Sequence, residues 1–109
     1  MSSTPIIREL QVVGLYFRDA DTKSKVRGLV GGTFPAKFVP EPSNAHDPLA
    51  LAVYLCPLPG SEWLHVGYVP ASVSPLLLLW LTIPEPFSAQ VFVKQDKQLP
   101  ALLLSVNAK

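Results

Sequence analysis

Apolar and polar positions in the first half of the chain form short blocks, each about the length of a β-strand. The block ELQVVGLYF (residues 9–17) is rich in β-branched and aromatic residues and predicts a first strand, with a bulge or close backbone contact at Gly14. The polar DADTKSK that follows predicts a loop. The next block, TFPAKFV, alternates at period two and predicts a half-buried strand, in which the outward-facing Pro35 indicates an edge position. Its inward residues are Phe34, Ala36 and Phe38.

The second half of the chain begins with LALAVYL (residues 49–55), which is apolar on both faces and predicts a central strand. WLHVGYV (residues 63–69) predicts another strand. ASVSPLLLLWL is the one segment that predicts a helix, with Ser72 or Ser74 as its cap and Pro75 within its first turn. FSAQVFVKQ and ALLLSVN predict two further strands. Their inward residues are Phe87, Ala89, Val91, Val93, Leu102, Leu104 and Val106.

Together these blocks predict a mainly-β chain: a small, partly open, OB-like or SH3-like β-barrel of about six strands with one covering α-helix. We assign residues 1–8 to an N-terminal tail and residues 9–109 to a single domain. The hydrophobic content of 49% excludes a chain kept disordered by its charge. The longest apolar block, VSPLLLLWLTI, is far short of the roughly 20 residues of a membrane-spanning helix, so we expect no membrane association.

The residues with catalytic or metal-binding potential form no known pattern. Cys56 is the one cysteine, and the N-terminus lacks a signal-peptide pattern, so we expect a reducing, cytoplasmic location. The spacing of Cys56, His46 and His65 matches no zinc site, and GLVGG lacks the Lys-Ser/Thr of a phosphate-binding loop. We therefore expect no metal, no cofactor and no enzymatic activity, and a hydrolase dependent on Cys56 is the less favoured alternative. The net charge of +1 indicates that any nucleic-acid binding uses only a few phosphate contacts.

One turn, PEPSNAHDPLALAV (residues 40–53), concentrates polar side chains directly before a strand. Asn44 and Asp47 can each accept hydrogen bonds from backbone N–H groups two or three residues further on, and Pro48 directs the chain into extended geometry. This local structure accounts for the turn without any function. It does not account for His46 between the two capping groups.

Three segments together resemble the HIRAN domain, a family known from the N-terminal region of helicase-like transcription factor and from stand-alone bacterial proteins. VVGLYF (residues 12–17) is similar to its first strand. EPSNAHDPLALAV (residues 41–53) is similar to its most diagnostic element, E/D-P-x-N-P-Y-D-x-N-A-I-x-V. HVGYVPASVSPLL (residues 65–77) resembles its V-G-[HY]-[LI]-P segment, which leads into a helix. The order and spacing agree, and the similarity spans residues 10–79.

The resemblance implies an OB-like β-barrel that captures the 3′ end of single-stranded DNA, in DNA repair or replication-fork processing, with a helicase, nuclease or other repair protein as a further partner. It implies that Asn44 and Asp47 line the pocket for the terminal nucleotide. It also implies that Phe17 stacks on a base, and that Tyr68 stands at the position after V-G that often carries histidine.

The chain departs from the family pattern at several positions. His46 replaces the usual tyrosine. Tyr16 falls where the best-understood member has an arginine, and Arg18 lies close by to supply the charge. Residues 97–99 lack the aromatic that packs on the terminal base, which Phe92 could replace from the neighbouring strand. The other departures are Ala45 for proline and Ala71 for a lysine.

The chemistry of these side chains is compatible with end recognition. A carboxylate such as Asp47 repels phosphate but accepts a hydrogen bond from a free 3′-hydroxyl. Stacking on an aromatic ring adds about 1–3 kcal/mol per base, and Arg18 or Lys37 could hold a phosphate. The alternative is a protein-interaction module, in which TFPAKFV or the face of Phe92 binds a peptide. The predicted nucleic-acid-binding residues are Tyr16, Phe17, Arg18, Asn44, His46, Asp47 and Tyr68.

Overall fold

The structure, a computed structural model, describes residues 4–82 and 87–108. The strands within these ranges are β1 (Thr4–Gln11), β2 (Thr33–Pro40), β3 (Leu51–Leu55), β4 (Leu64–Tyr68), β5 (Phe87–Lys94) and β6 (Ala101–Ala108). The helices are α1 (Ala20–Arg27), α2 (Ser74–Leu81) and a 3-10 turn (Leu15–Phe17). The strands form one antiparallel sheet in the order β1-β6-β5-β2-β3-β4. The mainly-β prediction is therefore confirmed.

The sheet is open, but the chain just after β1 reaches across to the far edge. Val13 and Tyr68 form an isolated antiparallel bridge, with N–H to O distances of 2.9 and 2.8 Å. The neighbouring Val12 N–H donates to the Leu102 carbonyl at 2.8 Å. Because β1 and β4 are the two edge strands, this bridge joins opposite edges at one point and gives the sheet a barrel-like curvature.

The core lies on the concave face of the sheet, where the inward positions predicted for β5 and β6 are found. Val91, Val93 and Leu104 are fully buried, while Phe92 between them faces outward. Full burial of each such side chain stabilises the fold by about 1.5–3 kcal/mol relative to exposure. β3 is buried on both faces apart from the partly exposed Tyr54, as a central strand should be.

The first strand lies earlier in the chain than the predicted residues 9–17. β1 begins at Thr4, so residues 4–8, which we assigned to the tail, pair with β6. The backbone of Gly14 has φ 93°, which ends the extended geometry and starts the 3-10 turn. Tyr16 and Phe17 therefore lie on a turn instead of a strand, and both are strongly exposed.

The polar segment predicted as a loop is the helix α1, so two α-helices are described where one was predicted. Asp19 caps it by accepting the Thr22 N–H at 2.7 Å, and Asp21 pairs with Lys25 one turn apart at 3.0 Å. Its one buried side chain is Val26, which is fully inaccessible. The helix therefore combines a local cap and ion pair with a single anchoring side chain in the core.

β2 is an interior strand, which corrects the edge position inferred from Pro35. It pairs with β5 through residues 33–36 and with β3 through residues 36–40. The Pro35 carbonyl accepts a hydrogen bond from the Cys56 N–H, one residue after the end of β3. Because the nitrogen and the carbonyl of a strand residue point to the same side, the ring nitrogen of Pro35 also faces the β3 side. Because proline has no N–H, the reciprocal bond to the Cys56 carbonyl cannot form, and the β2–β3 pairing ends at Ala36 and Leu55.

α2 is the predicted helix, with Pro75 in its first turn. Its N-cap is Val73, with no side-chain capping bond, and so neither Ser72 nor Ser74 is the cap we predicted. Ser74 is fully buried, and its hydroxyl has no hydrogen-bond partner among the described residues.

Candidate functional site

The turn between β2 and β3 has the local geometry predicted for Asn44 and Asp47. The Asn44 Oδ1 accepts from the N–H groups of His46 at 2.9 Å and Asp47 at 3.1 Å. The Asp47 Oδ1 accepts from the Leu49 N–H at 2.9 Å. These Asx-turns leave the His46 side chain exposed and hold Asp47 half-buried, with one carboxylate oxygen making no hydrogen bond within the described residues.

Glu41 joins this turn to β4. Its Oε1 accepts from the Asn44 Nδ2 at 3.1 Å and from the Tyr68 hydroxyl at 2.9 Å. Burial, followed by this hydrogen bond, raises the pKa of Tyr68 above its usual value, so the phenol stays a neutral donor. Glu41 is not among the residues predicted from the sequence, although it is the acidic first residue of the EPSNAHDPLALAV motif.

Arg18 follows the 3-10 turn, whose start the Val13 bridge holds against β4. The side chain is half-buried, and its Nε has no hydrogen-bond partner among the described residues. Burial is the main cause that lowers the pKa of His65, and the charge of Arg18 is the second. The charge of Arg18 also favours the ionised form of Tyr68, but burial and the bond to Glu41 outweigh it and raise the pKa. Arg18 forms no ion pair with the acidic residues that the structure describes, so it is free to meet an anion.

Tyr16 and Phe17 form an exposed aromatic pair on the 3-10 turn. Their side chains are 69% and 83% exposed, and their ring centroids lie 5.3 Å apart, edge to face. The Lys23 ammonium lies 5.4 Å from the Tyr16 ring centroid and donates to the Tyr16 carbonyl at 3.2 Å. Large rings this exposed contribute little to the core, which leaves them available to a ligand.

The structure brings most of the predicted residues into one region. The Val13–Tyr68 bridge holds the start of the 3-10 turn against β4, and Tyr68 then reaches the Asn44 turn through Glu41. Beside Tyr16, an open cavity of about 320 Å³ separates residues 11–16 from residues 96 and 99–102. No hydrogen bond or ring contact within the described ranges joins the exposed aromatic pair to His46 or Asp47.

The remaining candidate side chains have local partners. Cys56 is buried, and its thiol donates to the Leu58 carbonyl at 2.9 Å and lies 3.6 Å from the Ser61 hydroxyl. Over residues 4–82 and 87–108, no group of three or more His, Cys, Asp or Glu side chains is arranged to hold a metal ion. No helix in those ranges has the length and apolar character needed to cross a membrane.

The environment of His65 predicts acid sensitivity. Because its pKa is lowered in the folded protein below the ordinary 6.5, the unfolded chain binds the proton more tightly. The stability contributed by neutral His65 is therefore complete above about pH 6.5 and is lost as the pH falls through the lower folded pKa. Urea unfolding at about pH 7.5 and about pH 5.5 should show a smaller loss on acidification in His65→Gln than in the natural sequence. An equal loss in both would contradict this assignment.

The sequence matches no protein-family model, and no curated protein matches it. The structure resembles the crystal structure of a protein from Lactobacillus plantarum determined by the northeast structural genomics consortium. The TM-score is 0.61 at 20% sequence identity, over 99% of this chain and 98% of that chain. At this identity the likeness concerns the fold alone.

Proposed function

We propose that this chain is a non-enzymatic module with an OB-like, HIRAN-type barrel that captures the 3′-hydroxyl end of single-stranded DNA, in DNA repair or replication-fork processing. The observation that carries the proposal is the hydrogen-bonded unit of Asn44, Glu41 and Tyr68, held by the Val13 bridge next to the exposed aromatic pair. Stacking surfaces together with a polar, partly acidic turn suit a strand that ends.

The acidic groups distinguish an end from a continuing strand. A phosphate near the carboxylates of Glu41 and Asp47 is repelled, whereas a terminal hydroxyl can donate a hydrogen bond to the free oxygen of Asp47. Arg18, at the end of the 3-10 turn, supplies a positive charge that has no acidic partner among the described residues. Because the site has so few cations, the affinity for DNA should depend only weakly on salt concentration, in agreement with the net charge of +1.

The cavity beside Tyr16 offers a place for the terminal base. It is bounded on one side by the segment that carries Tyr16 and on the other by Leu99 and Pro100. Leu99 lies in the segment where the family's aromatic is missing, and its half-buried side chain gives the base an apolar surface instead. Asp96 also lines this cavity and is a second carboxylate that a 3′-hydroxyl could meet.

The test compares a short labelled oligo-dT carrying a free 3′-hydroxyl with the same strand carrying a 3′-phosphate. We expect the natural sequence to prefer the hydroxyl by about tenfold. Asp47→Asn keeps an oxygen for the Leu49 N–H but removes the charge, so the preference should fall to about twofold. Fluorescence anisotropy at fixed salt gives both affinities.

Asp96→Asn is the matched control, since it removes the same charge from the other carboxylate. If only Asp96→Asn relaxes the preference, the hydroxyl binds in the cavity near Tyr16 and the assignment to Asp47 is wrong. If the natural sequence binds both strands equally, or neither, end capture is excluded.

The alternative function is a protein-interaction module that uses β2 or the face of Phe92. β2 offers a peptide only part of each edge, because residues 33–36 pair with β5 and residues 36–40 pair with β3. Phe92 remains 38% exposed on the outer face of β5. Absence of DNA binding would make this face the next one to examine.

A further inference from the structure

Four side chains form a row on the solvent side of the sheet, and none of them is among the predicted site residues. Lys37 on β2, Tyr54 on β3 and His65 on β4 are neighbours in register, and Trp63 lies just before β4. The rings of Tyr54 and His65 stack with centroids 4.8 Å apart at 18°. The Lys37 ammonium lies 5.7 Å from the Tyr54 centroid and 4.7 Å from the Trp63 centroid. We call Trp63, Lys37, Tyr54 and His65 the outer row.

The outer row is not part of the core. The residues that flank Tyr54 in β3, Val53 and Leu55, are fully buried on the opposite face. Trp63 is 38% exposed and Lys37 is exposed. An exposed cation–π contact contributes only about 0.5–1 kcal/mol. The contacts among these side chains leave the Trp63 ring and the Lys37 ammonium accessible to a ligand.

The outer row is continuous with the proposed site. The rings of His65 and Tyr68 meet edge to face, with centroids 5.1 Å apart, and Tyr68 donates to Glu41 at the end-binding turn. Trp63 lies two residues before His65 in the chain, and the Lys37 ammonium contacts its ring. A strand whose 3′ end reaches Tyr68 can therefore follow the row away from that end.

The charge of the outer row suits a nucleic acid. Within the described residues, the ion pair found is that of Lys25 with Asp21, and Lys37 has no acidic partner. The negative charge nearest in sequence to Trp63 is that of Glu62, which acts on Lys25 of α1. Lys37 therefore presents an ammonium group without local neutralisation next to rings that can stack on bases.

We propose that the outer row is a second subsite, which holds the nucleotides on the 5′ side of the captured end. A base stacks on Trp63, and the Lys37 ammonium moves from the ring face to pair with a phosphate. This proposal rests on the proposed function, since it takes the strand captured at Tyr68 as its ligand. It adds the prediction that affinity depends on strand length as well as on the 3′ end.

The experiment measures the affinity of labelled oligo-dT as a trinucleotide and as a dodecanucleotide, each with a free 3′-hydroxyl. We expect the natural sequence to bind the longer strand about tenfold more tightly, a difference of about 1.4 kcal/mol. The double variant Lys37→Gln/Trp63→Ala should lose this gain and bind the trinucleotide as before. For the double variant, the slope of log affinity against log salt concentration should also decrease by the amount that corresponds to about one phosphate contact.

Leu79→Ala is the control, because Leu79 is a 62% exposed apolar side chain on α2 that belongs neither to the row nor to the predicted site. If the double variant keeps the full length gain, the outer row is not a subsite, while preference for the 3′-hydroxyl would still support end capture. If the length gain depends on the row but the 3′-phosphate strand binds equally, the row holds DNA and end capture fails. A natural sequence that binds neither strand excludes both proposals.

Discussion

Replacing Gly67 by alanine is expected to lower the free energy of unfolding by about 2–3 kcal/mol. A Cβ at this position would overlap the carbonyl oxygen of Val13 and approach the Cγ1 of Val12 to 2.9 Å. The backbone cannot move away easily, because the adjacent Tyr68 is bonded to Val13 in both directions. Domains of this size are stable by only about 5–15 kcal/mol, so the loss would be readily visible.

Urea unfolding of Gly67→Ala and Gly28→Ala measures this effect against a matched control. Gly28 follows α1 in ordinary right-handed helical geometry, with φ −72°, and a Cβ there would meet the Lys25 carbonyl at 3.4 Å. Gly28→Ala should therefore change stability by no more than about 0.5 kcal/mol. Equal stabilities of the two variants would mean that the contact between Gly67 and Val13 does not constrain the fold. Loss of amide protection at Val13 and Tyr68 would locate the damage at the bridge.

The strands that alternate between a buried and an exposed face could be predicted from sequence. β5 and β6 bury alternate side chains, so their period-two pattern predicts both the strand and the face that it turns toward the core. β3 could be predicted for a different reason, because an interior strand covered on both faces is apolar throughout.

β1 and α1 could not be predicted in the same way. β1 pairs Thr4 with Ala108, and a partner at the other end of the chain leaves no local pattern that fixes where the strand begins. α1 has one buried residue, Val26, and therefore lacks the apolar stripe by which helices are usually found. Its capping residue Asp19 was visible in the sequence, but a cap without a stripe is equally typical of a turn.

In the candidate site, too, the local contacts could be predicted from the sequence and the distant ones could not. The Asx-turns of Asn44 and Asp47 join groups two or three residues apart, so residue types alone predict them. The bond from Tyr68 to Glu41 spans 27 residues and depends on how β4 lies against the β2–β3 turn. The effect of the Arg18 charge on the pKa of His65 likewise depends on how the 3-10 turn lies against β4, which no spacing in the sequence indicates.

Removing both rings of the exposed aromatic pair is expected to have the largest effect on binding. Tyr16→Ala/Phe17→Ala should weaken capture of a 3′-hydroxyl oligo-dT by about 10- to 100-fold, because each stacked base contributes about 1–3 kcal/mol. The free energy of unfolding should change by less than about 0.5 kcal/mol, since both side chains are mostly exposed. Anisotropy and urea unfolding measure the two effects separately.

The exchange variant Tyr16→Phe/Phe17→Tyr serves as the control, because it keeps two rings in the same edge-to-face position. It should bind within about threefold of the natural sequence, since stacking needs the ring and not the hydroxyl. If it binds as weakly as the double alanine variant, the hydroxyl of Tyr16 makes a specific contact and the stacking model is wrong. If the double alanine variant binds DNA normally, the pair is not part of the site, and its exposure then favours a protein partner at the 3-10 turn.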